Sequence, residues 1–276
     1  MKQVMTLLVV CAIAGASSAQ PAPMTPVWRV DGLDSPESVI LAPDGRSLLV
    51  SNVGGEGDAK DGNGFIARVS LDGRLLQRTW AKGLDGPKGL AIRGRSLFVS
   101  DIETLVELDA QTGRRLNDWP ISGARFLNDA AVLSSGAVLV ADSGGARIYA
   151  LDRGKVGVWL AHPDLRSVNG LLPERDRLIV TTMQGLLLAV DYRTKAVTRL
   201  ATGLGEGDGV AAIGGGRYLV SEWPGRLFEV GSTGHVRVLA DSRAEPRYIN
   251  DFIVVAGLLI APNWTPGSLS AYRLPH

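Results

Sequence analysis

Six short stretches carry a polar or charged residue at nearly the same step of a repeat. They are Pro36-Glu37-Ser38-Val39, Pro87-Lys88-Gly89-Leu90, Leu127-Asn128-Asp129-Ala130, Val168-Asn169-Gly170-Leu171, Gly207-Asp208-Gly209-Val210 and Ile249-Asn250-Asp251-Phe252. From the second residue of each to the next, the intervals are 51, 40, 41, 39 and 42. If the repeats close into a ring, Glu37, Lys88, Asn128, Asn169, Asp208 and Asn250 face one another. Glu37 and Asp208 bring carboxylates and Asn128 and Asn169 bring amide oxygens, the hard donors that divalent cations such as calcium select. Lys88 and Asn250 complete the ring.

Other chemistries find less support. Cys11 is the only cysteine and sits near the N-terminus, so a disulfide framework or a thiolate site is excluded. Of the three histidines, His162 falls beyond a strand, His235 in a turn and His276 at the end of the chain, which disfavours a zinc site or a Ser-His-Asp triad. Asn-Gly and Asp-Gly are common turn pairs. Taken alone, Asn169-Gly170 and Asp208-Gly209 read more readily as turns than as ligands. Glu37 is no turn former, and its presence at the same register favours a shared site.

A period near forty residues demands a repeat architecture. In the third repeat, residues 129–134, 137–142, 147–151 and 156–161 read as four strands with tight turns. The fifth repeats the pattern at 209–213, 218–222, 226–230 and 236–240, and no stretch shows sustained helical periodicity. The sixth has only three strands, at 251–255, 258–262 and 268–274. The segment from Pro26 to Leu33 resembles the fourth strands of other repeats and is placed to supply the missing one. The fold class is therefore all-β: a six-bladed β-propeller of four-stranded blades, with the N-terminal strand closing the last blade.

Trp28, Trp80, Trp119 and Trp159 fall in fourth strands, where packing between blades is the expected role. A second ring, Asn52, Asp101, Asp142, Thr182, Glu222 and Asn263, leaves strand two on the same beat and borders the same mouth of the channel. The extra length of the first repeat, Gly54 to Gly64, also lands there. It reads as a surface loop, with a lid as the lesser alternative, and its oxygen pattern does not fit a calcium loop.

The motifs together resemble the gluconolactonase, or senescence-marker-protein, family of six-bladed propellers. Glu37-Ser38-Val39, Arg125-Phe126-Leu127-Asn128-Asp129, Asn169-Gly170-Leu171 and Asp208-Gly209-Val210 match that family's motifs in order and spacing, although its arginine usually stands one residue closer to the asparagine. The resemblance implies a calcium-dependent lactonase. Glu37, Asn169 and Asp208 would hold the metal, Asp208 would double as acid and base, and Asn128 and Arg125 would face the substrate, with Lys88 and Asn250 beside them. Lys88 is the discordant residue, because a cation there repels a metal ion. It must turn away, bind an anionic substrate, or pair with a carboxylate and weaken the metal site. The alternative function is a non-catalytic ligand- or protein-binding propeller.

Residues 1–19 read as a cleavable secretory signal: Lys2, then an apolar run from Met5 to Gly15, then Ser17-Ser18-Ala19. The single propeller domain is then 20–276, secreted or periplasmic. The apolar run is too short to span a bilayer. Without Lys2 the chain has 28 basic and 28 acidic residues. Nothing in that balance attracts nucleic acid or an anionic membrane. The expected partner is a small lactone or ester, and the expected state a monomer.

Overall fold

The computed structural model describes residues 24–245 and 247–274, so the signal segment and His276 lie outside the described residues. The described chain is almost entirely strand and turn, with a single 3-10 turn at Pro163–Leu165. No helix among the described residues is long and apolar enough to cross a membrane.

Five blades are consecutive antiparallel meanders. Blade one is β2 (Pro36–Leu41), β3 (Ser47–Asn52), β4 (Gly64–Ser70) and β5 (Leu75–Leu84). Blade two is β6 (Pro87–Arg93), β7 (Ser96–Asp101), β8 (Thr104–Asp109) and β9 (Arg115–Pro120). Blade three is β10 (Leu127–Val132), β11 (Val138–Asp142), β12 (Arg147–Asp152) and β13 (Lys155–Ala161). Blade four is β14 (Val168–Pro173), β15 (Arg177–Thr182), β16 (Leu186–Asp191) and β17 (Val197–Thr202). Blade five is β18 (Gly207–Gly214), β19 (Arg217–Glu222), β20 (Arg226–Val230) and β21 (Val236–Asp241).

Blade six joins the two ends of the chain. β22 (Ile253–Val255), β23 (Leu258–Asn263) and β24 (Ser268–Arg273) are completed by β1 (Thr25–Asp31), which pairs antiparallel with β24 from Thr25 opposite Arg273 to Asp31 opposite Ser268. The expected closure is therefore present. It satisfies the outer ladder of β24, which would otherwise be an open edge.

The apolar core is distributed between blades. Leu49, Ile66 and Trp80 of blade one pack with Leu97, Val99 and Val106 of blade two, and comparable clusters fill the other seams. The fourth-strand tryptophans belong to this packing. Trp119 meets Phe98 at 6.0 Å between ring centroids, and Trp159 meets Tyr192 at 6.3 Å edge-on.

A bulge at the head of the innermost strand positions the central channel's polar residues. In blade one Pro36 pairs with Asn52 and Val39 with Val50, so three steps on one strand oppose two on the other. The same shift occurs at Pro87/Leu90, Leu127/Ala130, Val168/Leu171 and Gly207/Val210. A bulge inserts one residue and re-aims its side chain. Here the re-aimed residues are Glu37, Lys88, Asn128, Asn169 and Asp208.

Candidate functional site

All six ring residues line one cavity of about 120 Å³ at the mouth of the channel, with Gly57, Phe126, Met183, Trp223 and Trp264. The six are buried, from Glu37 and Asn128 at 5% exposed to Asn250 at 1%.

The bulges are locked by hydroxyls. Ser51 Oγ accepts from Ser38 N–H at 2.9 Å, Thr181 Oγ1 from Gly170 N–H at 2.8 Å, and Ser221 Oγ from Gly209 N–H at 2.8 Å. Two of these hydroxyls also tie one blade to the next. Thr181 donates to the carbonyl of Asp208, and Ser221 donates to that of Asn250 at 3.0 Å. Ser100 reaches the carbonyl of Asn128 in the same way. The backbone of each of these ring residues is thus held by its neighbouring blade.

The Asn-Gly and Asp-Gly pairs are not turns. Gly170 and Gly209 have no positive φ. A Cβ on Gly170 would lie 2.4 Å from the carbonyl oxygen of Asp208, and one on Gly209 would lie 2.9 Å from the Cα of Asp251. Glycine is required because adjacent inner strands approach too closely for a side chain.

Four ring oxygens have no partner. Among the described residues, eight buried side-chain polar atoms lack a hydrogen bond, and four of them share this cavity: Glu37 Oε2, Asn128 Oδ1, Asn169 Oδ1 and Asp208 Oδ1. Buried acceptors without donors are costly. Four acceptors from four blades that line one cavity without finding a hydrogen bond are the kind of set a hard cation satisfies. The donor set therefore fits calcium. It does not fit zinc, since no group of three His, Cys, Asp or Glu side chains gathers to hold a metal among the described residues. Asn128, expected on the substrate side, offers its oxygen in the same manner as Asn169.

The electrostatics have the same origin. Burial pushes the Glu37 carboxyl up to about 8, and the nearby Asp251 carboxylate adds to the shift, while Lys88 opposes it. Asp208 is raised well above the usual carboxylate range by burial and then by Glu37, Asp251 and Asp129. Asp129 and Asp251 lie farther down the channel with their own partners: Asp129 accepts from Leu171 N–H at 2.6 Å, and Asp251 from Ser38 Oγ at 2.7 Å. The channel is thus an acidic column, and a divalent cation at its mouth would reverse the upward pressure on the two ring carboxyls.

Lys88 stays in the cavity wall, with its ammonium held by backbone carbonyls rather than by a carboxylate. Its Nζ donates to the carbonyl of Gly57 at 2.7 Å and that of Gly86 at 3.0 Å, and it stands 4.3 Å from the centroid of the Phe126 ring. Among the described residues it forms no ion pair with Glu37 or Asp208. Burial lowers its pKa, against the upward pull of Glu37. Its role is to clasp the first-repeat insertion. That segment is not the free surface loop expected from its composition. Gly57 lines the cavity, Gly62 N–H donates to Asp85 at 3.0 Å, and Lys60 pairs with Glu103 at 2.7 Å.

Two other expectations need correction. Arg125 is exposed and does not line the cavity, while Phe126 does. Both backbone N–H groups point at Asp142 Oδ1, at 3.2 and 3.0 Å, which leaves the arginine side chain facing solvent. The second ring is structural rather than ligand-facing. Asn52 accepts from Asp34 N–H at 3.0 Å, and Asp101 from Asp85 and Gly86 N–H at 3.0 and 2.7 Å. Asn263 donates to the Tyr248 carbonyl at 2.7 Å, and Glu222 pairs with Arg226. These side chains fix the loops that enter the inner strands.

One residue past that second ring stand Val53, Ile102, Ser143, Met183, Trp223 and Trp264. Three of these, Met183, Trp223 and Trp264, form part of the cavity wall. The same forty-residue beat carries them, one step along.

Comparison with known proteins confirms the architecture. The chain resembles a catalytically inactive histidine-to-alanine variant of virginiamycin B lyase from Staphylococcus aureus, solved with quinupristin. Identity is 11%, covering 87% of this chain and 80% of that one, with a TM-score of 0.65. A streptogramin B lyase matches at 11% identity over 90% of this chain and 98% of that one, TM-score 0.62. A chain of the nidogen–laminin complex matches at 15% identity over 76% and 86%, TM-score 0.62. The fold is a six-bladed β-propeller shared with these proteins. No protein-family model matches the sequence, and no curated protein matches it closely enough to count as a relative.

Proposed function

We propose that this chain is an exported, divalent-metal-dependent hydrolase of a lactone or related ester, of the gluconolactonase-like kind. The observation that carries the reading is the set of four unpartnered buried oxygens, Glu37 Oε2, Asn128 Oδ1, Asn169 Oδ1 and Asp208 Oδ1, converging from four blades on one cavity. In the second ring, by contrast, Asn52, Asp101, Asn263 and Glu222 are engaged by loop backbone or by an arginine, and only Asp142 keeps one oxygen unpartnered.

Glu37, Asn169, Asp208 and Asn128 would hold the ion, with calcium favoured by the all-oxygen donors. When bound, a divalent cation polarises a carbonyl and stabilises the oxyanion that develops on attack. Asp208 would take the proton of the attacking water and return it to the leaving alkoxide. Without an ion, burial and the neighbouring carboxyls favour its protonated form; a bound cation would oppose that shift and leave it ionised to accept the proton. Asn250, at the same register, would orient the substrate. No histidine among the described residues lines the cavity, so this chemistry differs from any that depends on one: His162 Nδ1 instead accepts from Asp164 N–H at 3.1 Å.

The test is thermal unfolding of the mature protein with calcium and with a chelator, followed by a broad lactone panel. Calcium at about a hundred times its dissociation constant stabilises by roughly 2.7 kcal/mol. Asp208→Ala should remove both this shift and hydrolysis. Absence of any metal-dependent shift overturns the reading. A shift without turnover assigns the site to ligand or protein binding.

A further inference from the structure

We propose that the substrate carries an alkyl or aryl substituent beside its reacting carbonyl, and that Trp223, with Trp264 and Met183, sets this preference over polyhydroxylated lactones. This rests on the hydrolase reading above and names the substrate class of that site.

The cavity volume is about 120 Å³. Pockets that enclose a drug-sized ligand start at roughly 300 Å³. The buried part therefore takes the reacting ring or acyl carbonyl, and the remainder lies across the rim. That rim is built from side chains one residue past the second ring. Blades four, five and six place Met183, Trp223 and Trp264 there, all half-buried, and Phe126 faces the cavity from blade three.

Trp223 is the best-fixed member. Its ring lies 4.8 Å from that of Tyr248 at 57° and 6.4 Å from that of Trp264 at 75°, and its backbone N–H donates to the Glu206 carbonyl at 3.0 Å. A rigid aromatic platform already in place binds an apolar group without an ordering cost.

The polar groups are committed elsewhere. Glu37, Asn128, Asn169 and Asp208 aim at the cation position, and Lys88 is engaged with two carbonyls. Asn250 Oδ1 accepts from the backbone N–H of Trp264 at 3.4 Å. Beyond Asn250 Nδ2 and the indole N–H groups, a sugar hydroxyl on this rim would surrender water and gain no partner, which disfavours a polyhydroxylated ring. A methylene there gains the full transfer free energy.

The experiment uses δ-lactones that are unsubstituted or carry propyl, pentyl and heptyl chains, alongside glucono-δ-lactone, on the calcium-loaded mature protein. Binding is followed separately by tryptophan fluorescence with non-hydrolysable δ-lactams bearing the same chains. Each added methylene should raise kcat/KM and lactam affinity by about fourfold until the rim is covered. Glucono-δ-lactone should be the poorest of the series. Trp223→Ala should flatten the dependence on chain length to below twofold per methylene, and Met183→Gln should do so more weakly. The calcium thermal shift of each variant reports whether fold and metal site survive.

Preference for glucono-δ-lactone, or a chain-length dependence unchanged in both variants, overturns this proposal and leaves the hydrolase reading standing. If calcium produces no shift and no lactone turns over, the hydrolase reading fails. Lactam affinity that still climbs with chain length then supports the apolar rim, and affinity that does not climb refutes it.

Discussion

Replacing Glu37 by glutamine should stabilise the metal-free protein and abolish its response to calcium. The fully buried Glu37 carboxyl titrates at about 8 in the folded chain, against an ordinary 4.5. The unfolded chain at pH 7 holds this group ionised, so folding must either take up a proton or bury a charge. The gap of 2.5 pH units from 4.5 to 7 corresponds to about 3 kcal/mol. A raised carboxyl pKa favours the folded state fully below pH 4.5, and that advantage is lost as pH rises through about 8. The Glu37→Gln side chain is neutral throughout, so the two proteins should be alike at pH 4.5 and diverge as pH rises. For a domain of this size, a difference that large is roughly 6–12 °C in Tm. Calcium should close most of the gap at pH 7, because wild type gains roughly 2.7 kcal/mol at a hundredfold excess over its dissociation constant while the variant has lost a donor. Thermal unfolding from pH 5 to 8.5, in chelator and in calcium, reads all of this. If Glu37→Gln is the less stable protein in chelator at pH 8, the reasoning from burial is wrong.

Thr181→Val leaves Gly170 N–H without its acceptor and the Asp208 carbonyl without its donor. We expect a loss of about 1–3 kcal/mol in urea unfolding and a smaller calcium-induced Tm gain; an unchanged gain would show that the hydroxyl does not position Asp208. Lys88→Met releases the Gly57 carbonyl and removes a cation from the cavity wall. Amide hydrogen exchange across residues 54–64 should accelerate while calcium binds more tightly in isothermal titration, and weaker calcium binding would contradict the clasp. Deleting the chain through Asp31 removes β1 and exposes β24 as an open edge. Light scattering should then show association or precipitation, and a stable monomer would refute the need for closure.

Much of this architecture is legible because the propeller beat is set by strand and turn lengths, which turn residues and apolar runs report directly. The strands of blades three and five fall close to their expected ends. Pro26 to Leu33 is recognisable as the closing strand from its likeness to other fourth strands, and β1 pairs there. What cannot be read is which polar residues point inward. Asn52, Asp101 and Asn263 share the beat of the inner ring, yet their side chains turn to loop backbone. Strand alternation alone cannot separate the two sets, because the bulge at the head of the inner strand resets the alternation by one residue. Nor does it reveal that Phe126 lies in the cavity and Arg125 outside it. Met183, Trp223 and Trp264 stand one step past a recognisable ring, but apolar residues after a strand carry no chemical signal until the cavity is seen.

The glycines following Asn169 and Asp208 show why the site is asymmetric. The second bulge residue is Gly in blades two, four and five, and Ser38, Asp129 and Asp251 in the others. Where it is Gly, the next inner strand closes to contact: a Cβ at Gly89 would lie 2.4 Å from the Cα of Asp129. Where it is Asp or Ser, the side chain occupies the channel. Asp251 bonds Ser38, and Asp129 bonds the Leu171 backbone. The two arrangements are complementary, since each glycine of blades two and five makes room for the aspartate one blade further on. The result is a channel crossed below the mouth by Asp129 and Asp251, which also line a cavity of about 340 Å³ on the far side, while Glu37, Asn128, Asn169 and Asp208 line the cavity above. A cation entering from the mouth would meet four unpartnered oxygens, and the carboxyl groups beneath would be already engaged by hydroxyl and backbone donors. The repeat supplies the ring, and the bulge pairs decide which part of it remains free to bind.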